Sequence, residues 1–114
     1  MTVHDNKDHN VPASCYGEDV EAVLISEEQL AARIRELADK VSATYRDADE
    51  ELILVCVLKG AVFFLTDFTR ALDIPAQMEF MAVSSYGNST TSSGVVRILK
   101  DLDRDIEGRD VLIV

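Results

Sequence analysis

The chain has 114 residues, is 47% hydrophobic and carries 11 Lys and Arg against 21 Asp and Glu, a formal net charge of -10. That length and apolar share suit one compact domain with a single modest core, and the acidic balance excludes nucleic acid as a polyelectrolyte partner, so any phosphate site has to be local. No apolar run approaches the roughly 20 residues of a membrane span, and the opening MTVHDNKDHN has no signal-peptide core, so a soluble, cytoplasmic protein that does not enter membranes is expected.

Residues 1–22 include His4, His9, Pro12 and Gly17 but no periodic apolar pattern. They read as a polar, mobile arm ahead of a domain over residues 23–114. The two histidines have no further ligands at metal spacing. Cys15 and Cys56 show no C-x-x-C spacing, and Cys56, inside an apolar run, reads as a small hydrophobe.

The first firm element is ISEEQLAARIRELADKVSATY. Ser26 is an N-cap with Gln29 three residues on, a capping box, while Ile25 and Leu30 take the positions of a hydrophobic staple. Leu30, Ile34, Leu37, Val41 and Tyr45 recur on one helix face, with Arg33, Arg35, Glu36 and Lys40 elsewhere, so this helix packs on something and does no chemistry.

After the acidic turn RDADEE, residues 52–58 form a continuous apolar run, as in a parallel strand covered on both faces. Within LILVCVLKGAVFFL, Lys59 and Gly60 interrupt the apolar pattern. Beyond them Ala61, Phe64, Leu65, Phe68 and Leu72 fall at helical spacing, with Thr66, Asp67, Thr69 and Arg70 facing away. Strand, tight turn, helix is the prediction. QMEFMAV is a second strand after Pro75, SSYGNSTTSSG a long polar loop, and VVRIL and DVLIV further strands, separated by KDLDRDIEGR with a turn at Gly108. The alternation predicts an α/β fold without internal repeats.

The V-L-K-G-A junction has a physical rationale. In an open parallel sheet the carboxyl ends of strands line the ligand crevice, and a helix starting there aims free N–H groups and its positive dipole end into it. Gly60 would allow backbone angles or a close approach that a Cβ blocks, and Lys59 would add a positive charge, so the turn suits a phosphate or pyrophosphate without burying the lysine. An ordinary strand-to-helix turn also accommodates both residues.

The segment over residues 84–94 holds five serines, two threonines, two glycines and one aromatic, Tyr86, between two predicted strands. It reads either as a lid that closes over a substrate or as the inert tip of a long arm. Asp101, Asp103 and Asp105 alternate but lack the glycine and closing glutamate of a calcium loop, which favours a solvated connection.

In this order and at these separations, VCVLKGAVFFLTDFTRAL, EFMAVSSYGNSTTSSGVVRILKDLD and DVLIV resemble the N-terminal part of the bacterial hypoxanthine or hypoxanthine-guanine phosphoribosyltransferases, from about Leu24 to Val114. The resemblance implies a Rossmann-like, type I phosphoribosyltransferase fold: an open, mostly parallel sheet with flanking helices and a flexible β-arm, here truncated. It implies transfer of phosphoribosyl from 5-phosphoribosyl 1-pyrophosphate to hypoxanthine or guanine, giving IMP or GMP and pyrophosphate, with Mg2+ as cofactor. Lys59 and Gly60 match the family's pyrophosphate-binding loop, which has a cis peptide before the lysine. Ser85 and Tyr86 match the Ser-Tyr pair of the mobile loop that covers the reacting centre.

Family members are homo-oligomers, dimers or tetramers. Their 5-phosphate loop, acidic base candidate, purine-recognising residues and metal-binding aspartate follow the strand matched by VLIV, so this chain is expected to hold no metal ligands and to be inactive alone. A noncatalytic module of the same fold, serving assembly or regulation, is the other expectation. A phospho-receiver domain fares badly, because Leu58 and Lys59 stand where its acceptor carboxylate would end a strand.

Overall fold

The structure, a computed structural model, describes residues 19–85 and 95–114. Most of the polar arm, with His4, His9 and Cys15, and residues 86–94 of the serine-rich segment lie outside the described residues.

Helix α1 (Glu27–Tyr45) begins as its sequence requires. The Ser26 Oγ accepts from the Gln29 N–H at 3.1 Å, and the Ser26 N–H donates to Gln29 Oε1 at 2.8 Å, closing the capping box. The adjoining staple is not packed, since Ile25 and Leu30 are 61% and 52% exposed. Ile34, Leu37, Val41 and Tyr45 do pack against the core. The centre of the buried face, however, is Ala38 and Ser42, small residues that a count of large apolar side chains passes over. The Ser42 hydroxyl accepts the Asp73 N–H at 3.0 Å, which satisfies it where it is buried.

Strand β1 (Leu52–Val57) is the centre of the molecule, with Leu52 to Cys56 all buried. It leads through the turn at residues 58–61 into helix α2 (Val62–Ala71), then β2 (Ala76–Ser85), β3 (Val96–Lys100) and β4 (Val111–Ile113). The sheet order is β3-β2-β1-β4. β1 runs parallel to both β2 and β4, while β3 pairs antiparallel with β2. A mostly parallel α/β sheet is therefore what the alternation of elements produces.

Successive residues of β1 serve opposite faces. Leu52, Leu54 and Cys56 form one cluster with Ala38 of α1 and Leu65 and Phe68 of α2, so both helices cover the same face. Cys56 is a free thiol buried in this cluster. The other β1 residues, Ile53 and Val55, lie in register with Gln77 and Glu79 of β2. There the segment between β3 and β4 crosses from one edge of the sheet to the other. Arg104 Nε meets Glu79 Oε1 at 3.1 Å, its Nη1 reaches Gln77 Oε1 at 2.5 Å, and the Asp103 N–H donates to Glu79 Oε2 at 3.3 Å. Asp101, Asp103 and Asp105 remain exposed, as a solvated connection should, but Arg104 turns the segment into a strap across the sheet.

Glu79 is only 7% exposed, so Arg104→Ala would leave a carboxylate with one weak donor in a dry place. The expected loss is about 1–3 kcal/mol of stability, measurable as a lower denaturation midpoint. An unchanged midpoint would show that the strap is held by its apolar residues instead.

Candidate functional site

The carboxyl ends of the parallel strands meet at one edge of the sheet. The Val57 N–H donates to Val114 O at 3.1 Å and the Leu58 N–H to Met81 O at 2.9 Å, which brings the ends of β1, β2 and β4 level. From this line the turn at residues 58–61 rises into α2. The Leu58–Lys59 peptide is cis, and the Lys59 carbonyl accepts from the Val62 N–H at 3.1 Å.

Lys59 and Gly60 are both exposed. Among the described residues the Lys59 ammonium forms no ion pair, so the lysine in the apolar run is not a buried charge. α2 has no side chain capping its first turn and no acidic residue in it. A free cation and an uncapped positive helix end thus share the same few residues, an arrangement that suits an anion.

Gly60 corrects one expectation. Its φ is not positive, unlike that of Gly108 at 71°, and a Cβ built on it meets no atom within 4 Å. Neither the turn nor packing within the described residues requires glycine at position 60, so the open space over it is free for a ligand.

β1 ends opposite Met81, yet β2 continues to Ser85, paired there only with β3. At about 3.3 Å per residue this two-stranded arm reaches roughly 13 Å beyond the end of β1, on the same side as Lys59. Its backbone pairs Ser84 with Arg97 and Ser85 with Val96. The arm therefore brings Ser84 and Ser85, the first two residues of the serine-rich segment, beyond the end of β1. Tyr86 itself lies outside the described residues, as does the rest of the predicted lid.

For a metal, no group of three or more His, Cys, Asp or Glu is brought together among the described residues. Asp103 faces Lys100 at 3.4 Å, while Asp105 and Asp101 accept the N–H groups of Glu107 and Leu102. No described helix is long and apolar enough to cross a membrane. The Glu79–Arg104 pair escaped sequence reasoning, although a glutamate inside the apolar strand QMEFMAV was a usable signal for a buried partner.

Comparison with known proteins matches residues 24–114 to the phosphoribosyl transferase domain. A hypoxanthine-guanine phosphoribosyltransferase of Mycobacterium avium is 61% identical over 107 residues, 90% of this chain and 53% of the relative. The Bacillus subtilis enzyme of the same name is 48% identical over 96 residues, 84% of this chain and 52% of that one. Among solved structures, a hypoxanthine phosphoribosyltransferase from Staphylococcus aureus superposes with a TM-score of 0.76 at 38% identity, covering 83% of this chain and 50% of its own. The Trypanosoma cruzi enzyme in complex with the product IMP gives 0.74 at 42% identity, covering 84% and 55%. The chain thus spans about half the length of the curated relatives it matches.

Proposed function

Because the chain belongs to the phosphoribosyl transferase domain family, we propose that it carries the pyrophosphate side of a purine-salvage active site. The reaction is transfer of phosphoribosyl from 5-phosphoribosyl 1-pyrophosphate to hypoxanthine or guanine. The observation that carries this reading is the turn at residues 58–61, where a lysine without an ion pair among the described residues, an open glycine and a helix start with no side-chain cap share one crevice edge. The names of the relatives, at up to 61% identity, support the purine as acceptor.

In this reaction the bond from the ribose anomeric carbon to pyrophosphate breaks, a bond to a purine ring nitrogen forms, and negative charge collects on the departing pyrophosphate. Lys59 and the positive end of α2 stabilise that charge, and they do so best where water is excluded. Gly60 lets the pyrophosphate approach the backbone. Ser85, the last residue of β2, and Tyr86 next to it in sequence are assigned to cover the electron-poor ribosyl centre against water. Magnesium goes with the family resemblance, but the described residues offer no ligand cluster for it, and no step on this chain runs through it. The setting is cytoplasmic and the whole protein a homo-oligomer.

The test is formation of IMP from hypoxanthine and 5-phosphoribosyl 1-pyrophosphate by three samples: this 114-residue chain, the chain mixed with the segment corresponding to the relatives' second half, and a polypeptide of the relatives' full length. Turnover is expected from the last, some from the mixture and none from the first. Pyrophosphate binding without IMP in any sample would favour the noncatalytic module. Full-rate turnover by the short chain alone would overturn the division of roles.

A further inference from the structure

We propose that Lys100 is a positioning residue for the reaction assigned above: its ammonium fixes the root of the β2–β3 arm to the sheet beside the Lys59 turn. The inference rests on that reading of the arm and adds a residue that the reacting groups themselves do not touch. The arm leaves the sheet at an irregular place. β1 accompanies β2 only as far as the Val57–Met81 pair, and the β2–β3 ladder begins one residue later, at Ala82 with Lys100. The next pair is Val83 with Ile98, so Leu99 is an extra residue on β3 with nothing opposite it. Such a bulge bends its strand and increases the local twist, and bulges recur beside active sites, where they re-aim the residues beyond them. The direction of Ser84 and Ser85 is therefore set at this one step. A two-stranded ribbon is only marginally stable by itself, so its base has to be held.

Lys100 holds it. The ammonium donates to Phe80 O at 3.2 Å and to Asp101 O at 3.0 Å, and it meets Asp103 Oδ1 at 3.4 Å. The Asp103 side chain is 81% exposed, so that ion pair contributes little and the two carbonyl contacts carry the link. Successive carbonyls of a strand point to opposite edges. Met81 O points to β1, where it accepts the Leu58 N–H, so Phe80 O points to the outer edge, just past the last pair with β3. It has no β3 partner there, and the Lys100 ammonium takes that place. One lysine thus ties together the strand entering the arm, the chain leaving it and the strap to β4. On the other edge the neighbouring carbonyl of β2 holds Leu58, the residue before Lys59. The root of the arm and the anion turn are therefore fastened to successive carbonyls of one strand, which fixes Ser84 and Ser85 relative to Lys59.

The test compares wild type, Lys100→Met and Lys100→Arg in a polypeptide of the relatives' full length. Methionine keeps the apolar stem but donates nothing, whereas arginine keeps a charged donor. IMP formation over a range of 5-phosphoribosyl 1-pyrophosphate gives kcat and KM, and amide hydrogen exchange without substrates reads the arm. Pyrophosphate titration counts competent molecules, so a misfolded fraction does not pass for a loss of kcat. In Lys100→Met the amides of residues 83–85 and 96–98 should exchange about tenfold faster, with those of β1 unchanged. Its kcat should fall about tenfold, with KM for 5-phosphoribosyl 1-pyrophosphate within about threefold of wild type. The lysine is 42% exposed, which puts the effect at the low end for a hydrogen bond to a charged group. Lys100→Arg should return kcat to within about threefold of wild type. Unchanged exchange in the arm overturns the inference, as does a kcat within about twofold of wild type in Lys100→Met, or an arginine variant as impaired as the methionine one. Absence of IMP from the wild-type polypeptide is a different failure, which removes the assigned reaction and the positioning role with it.

Discussion

Gly60→Val in a polypeptide of the relatives' full length is expected to weaken pyrophosphate binding about a hundredfold, the scale on which displaced geometry at a reacting centre acts, with stability changed by no more than about 0.5 kcal/mol. The two halves of this expectation have separate grounds. Stability should hold because Gly60 is exposed, has no positive φ, and would place a Cβ where no chain atom lies within 4 Å. Affinity should fall because that same open space lies beside Lys59 and the start of α2, and a branched side chain would fill it. Gly108 provides the contrast. Its φ of 71° disfavours any side chain by about 1–2 kcal/mol, so Gly108→Ala should lower the thermal midpoint while leaving pyrophosphate affinity alone. Titration calorimetry with pyrophosphate, paired with thermal unfolding, reads both. Wild-type affinity in Gly60→Val would remove the anion site from this turn.

Leu54→Ala is the substitution expected to cost most in folding, about 2–5 kcal/mol. Leu54 is fully buried on the central strand and belongs to the cluster that joins β1 to both helices. Neighbours on three elements hold its surroundings open, so the site collapses little and the cavity term adds to the lost transfer energy. Against a typical domain stability of about 5–15 kcal/mol, that loss is large enough to show as a fall in the urea midpoint with an unchanged slope. A loss below about 1 kcal/mol would mean that the helices close over the gap.

Much of the fold is legible because its signals are local. The capping box depends on residues three apart, the continuous apolar run of β1 on a single strand buried on both faces, and the turn at Gly108 on one residue. The less legible parts depend on distance. α1 turns Ala38 and Ser42 to the core, and Leu30 away from it, because close approach to α2 rewards small side chains, which a hydrophobicity pattern discounts. Arg104 meets Glu79 only after the sheet order has placed β3 and β4 at opposite edges. Within the candidate site, Lys59 is readable as an exposed cation because strand and helix periodicity both break at that point. The freedom around Gly60 is not readable, since it concerns what is missing from the surrounding space rather than what the glycine's own backbone demands.

The placement of β4 has a consequence during synthesis. β1 finds β2 soon after it is made, through one helix, but its other edge pairs Ile53 with Val111, close to 60 residues later. At roughly 5–20 residues per second on the ribosome, that edge waits about 3–12 s for its strand. Throughout that interval the backbone groups along Ile53, Leu54 and Val55 stand open on one side, in the most apolar stretch of the chain. That edge is closed only when the strap bearing Arg104 has carried β4 across the sheet into place.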